Sequence, residues 1–339
     1  MVVTIISVIL VFCLLILSHE FGHFIAAKAC GIYVDDFSLG MGPKIAQFKG
    51  KETTYTLRPF PIGGWCKMRG EDEESVDPRS FKSRKLWQQM LTIAAGPLMN
   101  FILAITIFVV VFMMMGTASG ANVIGEVGES TPAAAAGLQP GDRIMAINGL
   151  EIDEWVDISA AVNAAKPGGA LSLAIERDGR TLQTVIEPYF DEEMQTWLIG
   201  IIPQKEHLNF FRAIWLGCVQ SVQFSVAIIQ GLAQMISGAI PADVAGPVGI
   251  VTLIGQASEY GIQSLLILTA YLSINLGLIN LFPLPALDGS RLVFLTIEGL
   301  RGKPINQAKE GMIHFVGLIL LFGLMIFITY KDILRLVTG

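Results

Sequence analysis

His19-Glu20-Phe21-Gly22-His23 sets two imidazoles four residues apart, with a carboxylate next to the first. On a helix, positions i and i+4 share a face, so both rings can offer a nitrogen to one metal ion. Glu20, about 100° round the helix from His19, then stands beside a metal-bound water and can take its proton. The chemistry is metal-assisted hydrolysis. With four histidines in the chain, random placement yields this motif on the order of two times in a thousand. A catalytic zinc site needs a third protein ligand and an open position. Asp288 is the first candidate, following an apolar run broken by Pro283 and Pro285, because broken helix in a membrane protein is tolerated where it lines a cavity. His314, at the start of the last apolar run, reads first as an interfacial histidine and second as the rival ligand. Glu298 and His207 are weaker, since neither lies within such a run.

The element that must carry the motif is an unbroken apolar run from Val2 to Ala29, long enough to cross a bilayer. No basic segment precedes it and no small-x-small cleavage site follows directly, so a removable signal peptide is not expected. Further spans are expected near 91–115, 262–284 and 312–330. The 211–240 stretch is apolar, but carries Gln220, Gln223, Gln230 and Gln234 at helix-like spacing. It reads as an amphipathic helix lying on the membrane or against other helices. If it does not cross, the span that follows runs in the same direction as the first, and Asp288 arrives at the level of His19 and His23.

Composition agrees. The chain has 339 residues, 53% hydrophobic and 15% charged, with a mean hydropathy of +0.59. The apolar content argues against disorder, and the net charge of −6 against nucleic acid. Cys13, Cys30, Cys66 and Cys218 form no CxxC pair, hence neither a disulfide framework nor a thiolate zinc site. From Lys28 to Lys85 there are eleven Lys/Arg against eight Asp/Glu, and from Gly116 to Phe210 five against fourteen. By the positive-inside rule the first segment is cytoplasmic and the second outside. The outer segment has short strand-like runs at Arg143–Ile147, Leu171–Glu176 and Gln183–Pro188, turns at Asn148-Gly149 and Asp178-Gly179, and a helix around Glu154–Ala165.

The chain thus divides into a first transmembrane helix (1–30), a cytoplasmic loop (31–90) and a second transmembrane helix (91–116). An α+β domain (117–200) and an amphipathic, membrane-associated segment (201–261) follow. A third helix with Leu-Asp-Gly (262–300), then a basic loop and a fourth helix (301–339), complete it. The fold class expected is a polytopic α-helical membrane protein of about four transmembrane helices with an inserted extracytoplasmic α+β domain. Thr54–Arg58 and Trp65–Met68 are expected to pair as a hairpin around Pro59–Gly64, whose edge could hold an extended peptide; an ordinary cytoplasmic hairpin is the alternative. Asn100, inside the second span, serves either a helix–helix hydrogen bond or the active site.

These residues together resemble the site-2 protease family (peptidase family M50), and within it the bacterial RseP-type regulators of intramembrane proteolysis. The resemblance covers essentially the whole chain. It rests on HEFGH, Phe37–Lys44, Pro61–Met68, Ala95-Gly-Pro-Leu-Met-Asn100, Gly246-Pro-Val-Gly249 and Asn280–Pro285 with Leu287-Asp-Gly289. It implies that His19, His23 and Asp288 hold zinc, that Glu20 is the general base, and that Tyr55–Met68 is a membrane-re-entrant β-hairpin, Gly64 and Trp65 within it, able to pair with an unwound substrate. Asn280 resembles the family's polar residue that contacts the substrate backbone. The 121–188 segment resembles the family's PDZ modules through Ala136–Ile144 and Ile147-Asn-Gly149, as a docking site or a passive gate. Only one such domain fits, where some members have two, and Arg291 stands where some relatives have His. The implied partners are the lipid bilayer and single-span membrane proteins trimmed outside, such as anti-sigma factors or remnant signal peptides, in the cell membrane. The other class of function left open is a membrane-anchored PDZ binding module with a structural or inactive metal site. Glu20 discriminates, because a structural site has no use for a base between two ligands. A metal transporter is disfavoured, since ionisable residues do not repeat across spans.

Overall fold

The computed structural model describes residues 2–71, 75–164, 169–192, 196–241, 245–303 and 305–338. It comprises two compact units, one of Met1–Val111 with Phe210–Gly339 and one of Phe112–Asn209.

The first element, α1 (Val2–Ala29), is rich in Val and Ile, residues of modest helix propensity in water. An apolar solvent removes the alternative, because every backbone N–H and C=O must be satisfied within the segment. Four strands follow: β1 (Val34–Met41), β2 (Ala46–Lys49), β3 (Thr54–Leu57) and β4 (Phe60–Met68). Their order is β2-β3-β1-β4, with β1 parallel to β3 and antiparallel to β4. The expected hairpin is therefore corrected: Thr54–Leu57 and Trp65–Met68 do not pair with each other but flank β1. Gly40, at φ +87°, makes this possible. The chain crosses from one side of β1 to the other over it, and a Cβ there would lie 2.7 and 2.8 Å from the carbonyl oxygens of Arg58 and Phe60. Asp36 fastens both neighbours, accepting from Thr56 Oγ1 on β3 at 2.8 Å and from Trp65 Nε1 on β4 at 2.6 Å. Ile32, Val34, Cys66 and Met68 of the sheet region form a buried core with Ala27 of α1 and Ile93 of α2 (Leu86–Met114).

In the second unit, β5 (Thr117–Ala118) and β6 (Ile124–Val127) lead to α3 (Pro132–Ala135), β7 (Arg143–Ile147), β8 (Leu150–Glu151) and α4 (Trp155–Asn163). The chain continues through β9 (Leu171–Arg177), β10 (Arg180–Ile186), β11 (Tyr189–Asp191), β12 (Thr196–Leu198), β13 (Ile201–Pro203) and β14 (Lys205–Glu206). The main sheet runs β10-β9-β7-β8 over a core that includes Ile124, Leu138, Ile144, Ile158, Leu173 and Ile186. The three expected strands and both turns are present, with Asn148 and Asp178 at positive φ; Ala165, the expected end of α4, lies outside the described residues. β13 pairs with β6 and β14 with β5, so the unit runs past the expected limit at residue 200.

Back in the helical unit are α5 (Phe210–Ile236), α6 (Pro247–Glu259), α7 (Ile262–Leu281), α8 (Asp288–Arg301) and α9 (Gln307–Thr338). Five described helices are long and apolar enough to cross a membrane: α1, α2, α5, α7 and α9. With a hydropathy of 1.4, α5 is the least apolar of them, and its buried residues, Ala213, Gly217 and Ser221, all lie in its first half. In α6, Gly246 N–H and Gly249 N–H donate to Asp332 of α9, which closes the helix N-terminus from outside its own segment.

Candidate active site

α1 delivers His19 and His23 on one face, as the i,i+4 spacing requires, and the first turn of α8 delivers Asp288. His19 Nε2 and His23 Nε2 are 3.3 Å apart. Asp288 Oδ2 lies 3.1 Å from the first and 3.3 Å from the second. A tetrahedral zinc site with bonds of about 2.0–2.1 Å has ligand–ligand edges of about 3.3 Å, so this triangle has the size of one face of such a site.

The surroundings settle which ring nitrogens point inward. His23 Nδ1 donates to the Thr92 carbonyl of α2 at 2.9 Å, leaving Nε2 with a bare lone pair. His19 Nδ1 lies 3.3 Å from the side-chain amide of Asn100. Asn100 Oδ1 is buried without a partner, and rotating that amide half a turn presents the oxygen to His19 Nδ1–H, again leaving Nε2 bare. Asp288 Oδ2 is likewise buried without a hydrogen bond despite its two close nitrogens. Two lone pairs and an unpaired carboxylate oxygen facing one point would be costly without a cation. The residues fit zinc. Among the described residues this is the one His/Cys/Asp/Glu cluster with metal-binding spacing.

Close packing of α1 on α2 builds the pocket. A Cβ on Gly22 would sit 2.2 Å from Ala95 O, and one on Gly96 would sit 2.2 Å from His23 Nε2. The triad lines a cavity of about 500 Å³ together with Glu20, Gly64, Trp65, Cys66, Lys67 and Glu71. Glu20 is thus placed at the wall beside the cluster. Glu71 is ion-paired with Arg291, one turn beyond Asp288.

The other residues singled out in the sequence fall as follows. Gly64 and Trp65 lie on β4, an edge strand. At Gly64 a Cβ would meet Glu20 Cγ at 3.1 Å, which brings that edge against Glu20. Asn280, in the last turn of α7, is not among the residues lining this cavity. His314 is not in the cluster; its Nδ1 accepts from Ala286 N–H at 3.1 Å. Glu298 accepts from Ile305 N–H, and His207 belongs to the other unit. Sequence reasoning missed Thr92 and Glu71, and quoted Gly96 only within the Ala95–Asn100 motif, without a role. The helix contact at Gly96 has a signal in Gly96-Pro97, a small residue and a breaker within a span. Thr92 acts through its carbonyl and has none.

The model of peptidase family M50 matches residues 7–324. The chain is 34% identical to the zinc metalloprotease RasP of Geobacillus kaustophilus over 97% of either chain. It is 32% identical to the regulator of sigma-W protease RasP of Bacillus subtilis, over 98% of this chain and 99% of that one. Among solved structures, the PDZ domain of an SdrC-like protein from Listeria monocytogenes matches 25% of this chain and 88% of its own length, at 21% identity and a TM-score of 0.23.

Proposed function

Because this chain belongs to peptidase family M50, we propose that His19, His23 and Asp288 are its zinc ligands and Glu20 its general base. The protein is a multi-pass membrane metalloendopeptidase of the intramembrane type, with zinc as its cofactor. The observation that carries the residue assignment is the triangle of two imidazole Nε2 atoms and one carboxylate oxygen without a hydrogen bond, with Glu20 on the same cavity wall.

Zinc, when bound, supplies Lewis-acid polarisation of the scissile carbonyl and acidifies water. Glu20 takes the proton of the attacking water and returns it to the leaving amine. Thr92 and Asn100 hold the imidazoles in the tautomer the site requires. Gly64 and Trp65 contribute a free strand edge to which an unwound substrate segment adds as a further strand. Such an edge is needed because a transmembrane helix hides its peptide bonds in its own hydrogen bonds. The sheet itself suits a bilayer: Ile45, Phe48, Leu57 and Phe60 are all exposed, large apolar side chains poorly suited to water. That supports a membrane-re-entrant position for β2–β4. Asn280 is assigned to the substrate backbone on the resemblance alone.

Charge asymmetry supports a cytoplasmic 31–90 loop and active site and an extracytoplasmic PDZ-like unit. The low hydropathy of α5, and the confinement of its fully buried residues to its first half, support a membrane-associated rather than spanning role. The substrates proposed are single-span membrane proteins already trimmed outside, such as anti-sigma-factor-like regulators or remnant signal peptides.

The test is cleavage of a single-span substrate in liposomes, with zinc measured in the same samples. Glu20→Gln keeps zinc and loses cleavage by about 10²–10⁴-fold; Asp288→Ala loses both. Cleavage by Glu20→Gln at the parent rate would overturn the role of the base.

A further inference from the structure

A residue on a different helix touches the turn that leads to Asp288. Asp288 follows a tight turn, Phe282-Pro-Leu-Pro-Ala-Leu287, between α7 and α8. Ala286 in that turn has φ +74°, a left-handed conformation that a residue with a Cβ adopts only when its surroundings impose it. Two features of α9 impose it. His314 Nδ1 accepts from the Ala286 N–H at 3.1 Å. One turn on, Gly317 receives Pro285, and a Cβ at 317 would sit 2.2 Å from Pro285 Cβ. His314 also packs edge-on against Phe294 of α8, ring centroids 5.6 Å apart. One imidazole therefore touches the chain two residues before Asp288 and the helix that Asp288 begins.

We propose that His314 is a positioning residue for the metal centre: through Nδ1 it clamps the left-handed Ala286 and so fixes where Asp288 Oδ2 meets His19 and His23. This rests on Asp288 being the third ligand. The contact made by Nδ1 fixes the proton on Nε2, so this imidazole is turned to serve the turn rather than the metal. It also explains why an alanine stands where glycine would be unstrained: the clamp, not the residue type, sets the conformation.

The experiment uses the full-length protein in detergent, with zinc affinity measured by competition against a chromophoric chelator and the ligand set read from the visible bands of the cobalt(II)-substituted protein. His314→Leu is expected to weaken zinc binding about tenfold, the low end of what loss of an outer partner costs, with cobalt band positions unchanged. Ala286→Gly added to His314→Leu restores most of that loss, because glycine enters the left-handed region without strain. Should His314→Leu fail to fold, His314→Asn and His314→Gln carry the comparison. Asn sets an oxygen near the Nδ1 position and keeps zinc, whereas Gln sets one near Nε2 and does not. Zinc affinity unchanged in His314→Leu, no rescue by Ala286→Gly, equal behaviour of Asn and Gln, or shifted cobalt bands would each overturn the clamp. Asp288→Ala runs alongside: if it retains zinc, the ligand assignment fails instead.

Discussion

Asp142 in the α+β unit and Asp288 in the helical unit each keep a carboxylate oxygen out of solvent, in opposite surroundings. Asp142 is saturated: Arg177 Nε donates to Oδ1 at 2.6 Å, Arg177 Nη2 to Oδ2 at 2.7 Å, and Gln139 N–H to Oδ2 at 2.8 Å. Asp288 Oδ2 has two nitrogens within 3.3 Å and no hydrogen bond. The contrast extends to the units. Among the described residues four buried side-chain polar atoms lack partners, on Arg84, Asn100, Asp288 and His314, and all four lie in the helical unit. Three of them lie at the candidate metal centre or the turn leading to it. A saturated buried acid ties a fold together, whereas an unsaturated one among bare imidazoles is kept for a ligand.

Exchanging the two acids is the strongest way to break this contrast. Asp288→Asn is expected to abolish cleavage and zinc retention while leaving the thermal stability of the metal-free protein unchanged or raised, since it removes an unpaired charge. Asp142→Asn is expected to leave zinc untouched and to destabilise the α+β unit by about 1–3 kcal/mol, the cost of breaking hydrogen bonds to a charged group. Metal analysis together with hydrogen exchange of β9 reads both. If both variants lose zinc, or both lose stability equally, the division fails.

Glycines offer a second comparison. Gly96→Ala drives a methyl into His23, 2.2 Å from Nε2, and zinc affinity is expected to fall by about tenfold or more, as when a ligand's orienting partner is lost. Gly137, at φ +75°, has open space where its Cβ would be. There Gly→Ala should cost only local strain, about 1 kcal/mol in the α+β unit, with no change in metal.

Legibility in the sequence follows the range over which each feature is encoded. HEFGH is legible because one helical turn contains it, and the α+β unit because Asn148-Gly149 and Asp178-Gly179 mark its turns locally. β1 was hidden: Asp35 and Asp36 spoil its alternation, yet Asp36 is the residue that fastens β3 and β4 to it. The Asn100 contact to His19 spans 81 positions, and His314 meets Ala286 across 28. No periodicity reports such pairings. His314 stands in the sequence between an interfacial histidine and a ligand, because a histidine at a span boundary does not say which nitrogen is engaged.

The smallest effect separates the units by acid. Burial alone would raise the Asp142 carboxyl; the Arg177 guanidinium and the Gln139 N–H outweigh it and hold the group below the usual carboxylate range. A carboxyl whose folded pKa is depressed adds stability that is complete above its unfolded value of about 3.9 and is lost as pH falls through the lower folded value. Hydrogen-exchange protection of β9 should therefore be flat from pH 7 to about 5 and decline below about 4. In Asp142→Asn the same decline should be shallower, because the group that takes up the proton is gone. If the acid-induced loss is as steep in the variant, some other carboxylate governs it, and the saturation of Asp142 is not what ties this unit together.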